Sequence, residues 1–458
     1  MLGWLYRGFE RSVRRSPRWL APRAKHVPAW LMRRVTEAKL VHTLRYVWRR
    51  SPAQRERWRQ AGIRFVDLRS SKVLRRVPMM RPEDLAERGE EYFCVPREEL
   101  VHVLTTTGTK GVPKRIYLTA DDFERHMRML GTYLLQLPDA TRAMAVFNVD
   151  LPTLSAGSVV RAGFERAGIF GILSFTGRPV AHQIQLIRDY DITLVCTMPA
   201  YLHRMTVEAD EDLRQLGVRF IVIGGQAWSE AFRRLIEDAW GAKALDAYGS
   251  MELGCSISAE CVRQNGLHIA QPDFWVEIID PDTDEPCDDG VEGELVVTTL
   301  SRRGMPFVRY RTRDMASLLP DAERCACGLQ TRRMSRVRGR IDDMLIIGGD
   351  ANIYADEWDR ALLTIPGVTD YQVIVDKDGA MDALTVRVEN SDTGNGLKER
   401  VMDAILGIRN VEIAMTLTKT AVVAKIEVVP RGALLEGRSK TRRVVDRRDT
   451  PTAGRRTT

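Results

Sequence analysis

The sequence predicts a globular α/β chain of more than one domain: a parallel α/β region, an antiparallel β subdomain after it, and a small α+β domain at the C-terminal end. Three observations carry this. Between 100 and 250, short apolar runs that stop at glycines alternate with amphipathic helical stretches, the pattern of a parallel sheet. Between 272 and 320 the texture changes to strands divided by turn chemistry, DPDTDE and DDGVEG. Residues 343–458 read as helix, hairpin and strand, and 458 residues are too many for one compact core.

In chain order, residues 28–63 read as helix, with apolar positions three and four apart and few Gly or Pro. VHVLTTT (101–107) is strand-like and runs into a glycine turn, after which ADDFERHMRMLGTYLLQL reads as helix with Asp121 and Asp122 near its start. DITLVCTMP and RFIVIGG read as buried strands. SEAFRRLIEDAWG reads as a helix with Ser229 as N-cap and Gly241 at its end, and KALDAYGS as a strand entering a loop. Ligands of such a sheet gather at the carboxyl ends of its strands. Further on, EWDRALLTIPGV predicts a helix, YQVIVDKDGAMDALTVRVEN a hairpin and AKIEVVP a strand.

The net charge of +8 is unevenly spread. Residues 1–50 hold thirteen Lys/Arg and two Glu (+11), and 431–458 hold nine Lys/Arg and three Asp/Glu (+6), so 51–430 carry 8 − 11 − 6 = −9. The basic ends lack the aromatic platforms and groove-reading motifs of nucleic-acid binding, so that class is set aside. In the first residues Trp4, Leu5, Phe9 and Val13 interleave with arginines. A helix docked on the body, an amphipathic segment on an anionic membrane and an Arg-rich targeting segment all fit. No apolar run is long enough to span a membrane, and no signal peptide is evident. Seven cysteines, an odd number, argue for a reducing cytoplasm rather than a disulfide framework.

The stretch LTTTGTKGVPKRI (104–116) sits at the centre of the functional question. A Thr-rich turn between a strand and a helix offers backbone N–H groups, hydroxyls and a Lys to phosphate oxygens. Its spacing fails the Walker A pattern, and on its own residues a plain surface turn fits as well.

Its company decides the reading. Thr106-Thr107-Gly108-Thr109-Lys110-Gly111-Val112-Pro113-Lys114 resembles the T-S-G-T-T-G-x-P-K phosphate loop of adenylate-forming enzymes, the superfamily of acyl-CoA synthetases and adenylation domains. GGQAWSE (224–230) resembles its adenine-facing turn, YGSMELG (248–254) its Y-G-x-T-E, RYRTRDMA (309–316) its Y-R-T-G-D, and GRIDDMLIIGGDANIY (339–354) its hinge, all in the required order. VEIIDP, GELVVTTLSRRGMPFVRYRT and the ending RSKTRRVVDRR are similar to the phenylacetate–CoA ligase branch, with Ser439 where that branch has glycine. The resemblance implies a large adenylation domain over 41–340 with parallel α/β sheets and a β subdomain, and a small mobile α+β domain over 341–446. These are flanked by a basic extension over 1–40 and a frayed tail over 447–458.

By the same resemblance, the chain activates a carboxylic acid with ATP as an acyl-adenylate, releases pyrophosphate and passes the acyl group to CoA. The runner-up acceptors are a carrier-protein thiol or an amine, and a non-catalytic scaffold of the same fold is a third reading. Lys440 would bridge carboxylate and α-phosphate, and Glu252 would hold Mg²⁺, a hard cation suited to a carboxylate. Thr106, Thr107, Gly108, Thr109, Lys110, Gly111 and Lys114 would hold the triphosphate. Gly224, Gly225, Gln226, Tyr248, Gly249 and Ser250 would surround the adenine, Asp314 and Arg340 would serve the ribose and phosphates, and Asp342 would be the hinge. Lys110 and Arg313 replace the usual Thr and Gly and add positive charge near the nucleotide. Gly348 and Asp350 depart from the branch in the stretch nearest CoA.

Cys261, His268, Cys325 and Cys327 make a Cys₃His set of the type that holds structural Zn²⁺, resembling a zinc-bearing subset of the branch, with Cys255 as a substitute ligand. Reduced thiols with one hydrogen-bonded His are the simpler alternative. The oligomeric state is open, a homodimer among the options, and residues 1–40 are the segment that would touch a membrane surface.

Overall fold

The computed structural model describes residues 16–106, 114–147, 154–320, 323–341, 344–347, 351–379, 381–390, 396–430, 432–434 and 443–448. It divides into two compact units. The first comprises residues 1–198, 214–225 and 242–337; the second comprises 199–213, 226–241 and 338–458. The helices Pro199–Glu208 and Glu230–Trp240, which the sequence reading assigned to the large domain, therefore cluster with the C-terminal residues.

The first unit is organised on an eight-stranded sheet. Five strands are parallel, four of them largely buried and β4 an edge strand exposed at both ends: β3 (Arg142–Phe147), β4 (Phe170–Phe175), β5 (Leu194–Thr197), β6 (Phe220–Gly224) and β7 (Lys243–Tyr248). The sheet continues antiparallel through β8 (Ser258–Glu260), β9 (Leu267–Ile269) and β13 (Arg333–Met334). Its order is β13-β9-β8-β7-β6-β5-β3-β4. The chain leaves β3 for β4 on one side and returns to place β5 on the other, so the parallel part reverses direction at β3. Leu194–Thr197 is buried at all four positions, as its unbroken apolar run requires in a strand covered on both faces. The expected β subdomain is β10 (Phe274–Ile279), β11 (Gly293–Thr299) and β12 (Tyr310–Ala316), paired antiparallel.

Before the sheet, β1 (Leu100–Thr105) pairs antiparallel with β2 (Arg115–Thr119). This corrects one expectation: the Thr-rich stretch joins two strands, not a strand and a helix. RIYLT is only five residues and opens on a charge, too short for its alternation to register, yet Ile116 and Leu118 are buried on one side. The helix Ala120–Leu134 follows, and its first turn is occupied by its own capping box. Thr119 Oγ1 accepts from Asp122 N, and Asp122 Oδ2 accepts from Thr119 N, at 3.1 Å each. That helix start is therefore not free to receive a phosphate.

The basic extension does not end at residue 40. The helix Ala29–Arg50 runs through it with Leu40 and Leu44 wholly buried, and Arg18 of the helix Pro17–Ala24 donates to the carbonyls of Ala167 and Gly168. Residues 16–40 thus pack on the body, the docked-helix reading; Trp4, Leu5, Phe9 and Val13 lie outside the described residues. No helix among the described residues is long and apolar enough to cross a membrane.

In the second unit, the predicted hairpin is Val368–Asp378 with Met381–Asn390. Ala421–Val429 is parallel to one of its strands and Val444–Asp446 to the other. The helix Ala355–Leu362 contributes Trp358 to a core shared with Tyr371, Leu384 and Val386. The helix Leu397–Leu406 and the strand Val444–Asp446 were not foreseen. The frayed tail starts later than 447: Arg447 N donates to Val375 O at 2.8 Å, and Arg448 pairs with Asp382 and Asp446.

Candidate active site

The carboxyl end of β7 opens into a turn that the sequence forces inward. Gly249 has no room for a side chain, since a Cβ there would lie 1.5 Å from the carbonyl oxygen of Cys255. The backbone folds back at once, with Cys255 N donating to Ser250 O at 2.8 Å and Ile257 N to Tyr248 O at 3.0 Å. Gly224 permits the same closeness one strand away, where a Cβ would stand 2.7 Å from Ala247 O.

This turn brings Glu252 against Lys114. Nζ and Oε1 are 2.5 Å apart, with 14% and 11% of the two side chains exposed. Tyr310 of β12 donates to the same oxygen at 3.3 Å, and Arg302 donates to the Glu252 carbonyl at 2.8 Å. Burial pushes the Glu252 carboxyl up, but the adjacent Lys114 ammonium more than offsets it and holds the group below its usual range. The anion is thus ready for a cation without a proton to lose. Four residues after Tyr310, Asp314 accepts from the Tyr248 hydroxyl at 2.6 Å; burial first, and then the Asp314 charge, push that phenol well above its usual value.

Thr106 and Lys114 hold each other across the base of the Thr-rich stretch: Thr106 N donates to Lys114 O at 3.1 Å, and Lys114 N to Thr106 Oγ1 at 3.2 Å. Thr107, Gly108, Thr109, Lys110 and Gly111 lie outside the described residues, as do Asp342, Gly348, Asp350 and Lys440. In the first unit the structure brings Lys114 to Glu252 and Tyr248 to Asp314. Gly224, Gly225, Gly249 and Ser250 stand at the carboxyl ends of β6 and β7. Gln226 and Arg340 belong to the second unit.

Sequence reasoning missed Tyr310 and Arg302. Tyr310 lies within RYRTRD, and its only signal is that proximity; nothing local marks Arg302. Arg313 also acquires a different reading. The pairing of β11 with β12 slips between Glu294–Met315 and Val296–Arg311, and Arg313 stands in that irregularity at φ +63°, a conformation that favours glycine. Its guanidinium reaches Glu83 at 2.6 Å, so at least part of its charge is spent within the protein.

Behind the Glu252 turn lies a buried polar cluster. Asp273 accepts from Arg125 at 2.7 Å and from Ser301 at 2.6 Å, and Lys39 donates to Ser301 at 2.6 Å. Burial pushes Asp273 up, but Arg125 and Lys39 together hold it well below the carboxylate range. His126 packs edge-on to Phe274, and its Nε2 has no hydrogen-bond partner among the described residues. Burial, then the Arg302 charge, push it down from 6.5 to about 4. Between those values the unfolded chain binds a proton that the folded chain refuses. Stability is therefore full above pH 6.5 and falls by about 3 kcal/mol as pH drops to 4. Denaturant unfolding of a His126→Phe variant is expected to show a shallower loss over that window. An equal slope in both proteins would place the titrating group elsewhere.

The antiparallel edge of the sheet gathers the cysteines. Cys261 directly follows β8, His268 is the middle residue of β9, and Cys325 and Cys327 precede β13. The four ligand atoms lie within 4.8 Å of one another. Cys261 and Cys325 sulfurs are 3.6 Å apart, and Cys327 Sγ is 3.3 Å from His268 Nε2. Two sulfurs at about 2.3 Å from a tetrahedral ion stand about 3.8 Å apart, so the set fits zinc. Around it, Arg263 N and Leu329 N donate to the sulfurs of Cys261 and Cys327, and His268 Nδ1 meets Thr331 Oγ1 at 3.2 Å, fixing the ring. Cys255 is not in the group.

The family model described as AMP-binding enzyme matches residues 34–301, and that of the AMP-binding enzyme C-terminal domain matches 350–448. The chain belongs to the AMP-binding enzyme family. Among curated relatives of this AMP-binding enzyme, the phenylacetate-coenzyme A ligase of Thermus thermophilus is 32% identical over 379 residues, covering 81% of this chain and 84% of the relative. Among solved structures, a 2-hydroxyisobutyryl-CoA ligase in the postadenylation state with 2-HIB-AMP is 26% identical. Its TM-score is 0.78, with 93% of this chain and 91% of that chain covered. The same ligase with 2-HIB-AMP and CoA in the thioesterification state gives 26% identity and a TM-score of 0.65, covering 93% and 92%.

Proposed function

We propose that this AMP-binding enzyme is an AMP-forming acid–CoA ligase. It joins a carboxylic acid to ATP as an acyl-adenylate, releases pyrophosphate, and transfers the acyl group to CoA as a thioester. The observation that carries the reading is the pairing of Lys114 with Glu252 and of Tyr248 with Asp314 around one turn at the carboxyl end of β7. Glu252 would hold Mg²⁺, whose charge would neutralise phosphate oxygens. Its carboxylate already carries a cation, and Lys114 is the group that yields that place and turns to phosphate. Asp314 retains a second carboxylate oxygen for ribose hydroxyls, beside the phenol that fixes it. Lys440 supplies the charge between carboxylate and α-phosphate, and Asp342 is the hinge between the half-reactions.

Cys261, His268, Cys325 and Cys327 would hold a structural Zn²⁺, closed to catalysis because all four positions are taken by protein. Seven free cysteines accord with a reducing cytoplasm.

The test is pyrophosphate release with a panel of phenylacetate, benzoate, 2-hydroxyisobutyrate and octanoate, followed by separate addition of CoA, a carrier protein or an amine. One acid is expected to release pyrophosphate and then form a thioester with CoA. Adenylate consumed only by a carrier thiol or an amine would overturn the CoA assignment, and no acid-dependent release would overturn the ligase.

A further inference from the structure

The loop between β11 and β12 is fastened at several points of the first unit. Thr299 N donates to Phe307 O and Phe307 N to Thr299 Oγ1, at 2.9 Å each. Arg303 N and Gly304 N donate to the two carboxylate oxygens of Asp122 at 2.6 and 2.8 Å, and Thr43 donates to Leu300 O at 3.0 Å. Arg302 therefore starts from a fixed backbone. Its guanidinium lies 4.9 Å over the buried ring of Phe307, which limits where the fork can turn. Among the described residues it makes one hydrogen bond, Nη1 to the carbonyl of Glu252 at 2.8 Å, and it is the only donor to that carbonyl.

The turn leaves room for this contact. Gly254, two residues after Glu252, stands at φ +98°, and a Cβ there would lie 3.4 Å from Arg302 Nη2 and 3.2 Å from the His126 ring. The carboxylate of Glu252 is held by Lys114 and, at 3.3 Å, by Tyr310. Once a metal ion takes the place of Lys114, Tyr310 and the main chain of the turn are what set the direction of that carboxylate. Its main chain in turn depends on Arg302. A ligand oxygen must stand within a few tenths of an ångström of its place to serve a small, hard cation, and groups behind the ligand set that place.

We propose that Arg302 is a positioning residue for Glu252, holding the turn so that the carboxylate faces the metal of a bound metal–ATP complex. The proposal rests on the reading of Glu252 as the Mg²⁺ ligand.

The test measures binding by the full chain with no acid present, so no turnover enters. Affinity for Mn²⁺–ATP, with Mn²⁺ as the paramagnetic stand-in for Mg²⁺, is read from the electron spin resonance signal. Affinity for ATP alone is read by calorimetry in EDTA. Arg302→Met keeps the length of the side chain and removes its donors. It is expected to weaken Mn²⁺–ATP binding about 10-fold and to leave metal-free ATP binding unchanged, the size of one charge-assisted hydrogen bond. Arg302→Lys, which keeps the charge and one donor, is expected to recover part of that loss. Glu252→Gln is expected to weaken Mn²⁺–ATP binding at least as much, and adding Arg302→Met to it to cause no further loss.

Equal weakening of both forms of ATP by Arg302→Met would mark Arg302 as merely structural and overturn the proposal. Loss in Glu252→Gln with none in Arg302→Met would overturn the positioning role and spare the metal ligand. No loss in Glu252→Gln would overturn both. If Arg302→Met does not fold, the comparison of the two ATP forms is made with Arg302→Lys, where a loss of about threefold confined to Mn²⁺–ATP is expected and an equal or absent loss would overturn the role.

Discussion

Replacing Lys440 with alanine is expected to lower acid-dependent pyrophosphate release about 10³-fold, with the fold and nucleotide binding retained. The size follows from the charge problem of the step: a carboxylate attacks a phosphate ester, and two anions approach as the bond forms. Three cations of the first unit, among the described residues, are already engaged. Lys114 is held against Glu252, Arg302 donates to the carbonyl of that same residue, and Arg313 pairs with Glu83. On the proposed reading, Lys114 would leave Glu252 when another cation takes its place there, and would serve the triphosphate rather than the attacking acid. The measurement has two arms. Pyrophosphate release from acid and ATP should collapse, and thioester formation from supplied acyl-adenylate and CoA should persist. An unchanged first arm would remove Lys440 from the chemistry, and equal loss in both would mark it as structural.

The second large effect concerns the cysteine cluster. Purified protein is expected to contain one zinc per chain, and Cys327→Ser to lose it with a fall in melting temperature on the order of 5–10 °C. The magnitude comes from the position of the ligands. Cys261, Cys325 and His268 are buried, and they join the short strands β8, β9 and β13, which pair with each other through few residues. Without a central ion this edge would hold sulfur and imidazole groups with little else to fasten them. Adenylation should survive at temperatures where the variant stays folded, because the ligand shell leaves no open position. Less than a tenth of an equivalent of zinc would exclude the assignment. Loss of adenylation in folded, zinc-free protein would exclude a purely structural role.

The legible part of the fold was the part written in local pattern. Leu194–Thr197 and Phe220–Gly224 announce buried parallel strands by unbroken apolar runs that end in turn residues. The cap of the helix Glu230–Trp240 is equally local: Ser229 Oγ accepts from Phe232 N at 3.2 Å, and Gly241 closes the far end. What escaped depends on partners distant in sequence. Arg115–Thr119 is a strand because Leu100–Thr105 lies beside it. The helices Pro199–Glu208 and Glu230–Trp240 are recognisable by their faces, but a face does not name what it packs against, and both cluster with the C-terminal residues. In the site, the motifs located Glu252 and Asp314, yet neither the Lys114 pairing nor the part played by Tyr310 is written in their spacing. Arg313 shows the limit most clearly: its departure from the family pattern was visible, but the left-handed backbone beneath it and the carboxylate of Glu83 beyond it were not.

Gly249 carries a consequence for mutagenesis of the candidate site. With the carbonyl oxygen of Cys255 standing 1.5 Å from where a methyl would go, even alanine at 249 would have to push the returning backbone aside, displacing Glu252 with it. A library that randomises the YGSMELG stretch evenly therefore spends one of its positions on dead variants. The productive search holds 249 constant and varies the side chains around it.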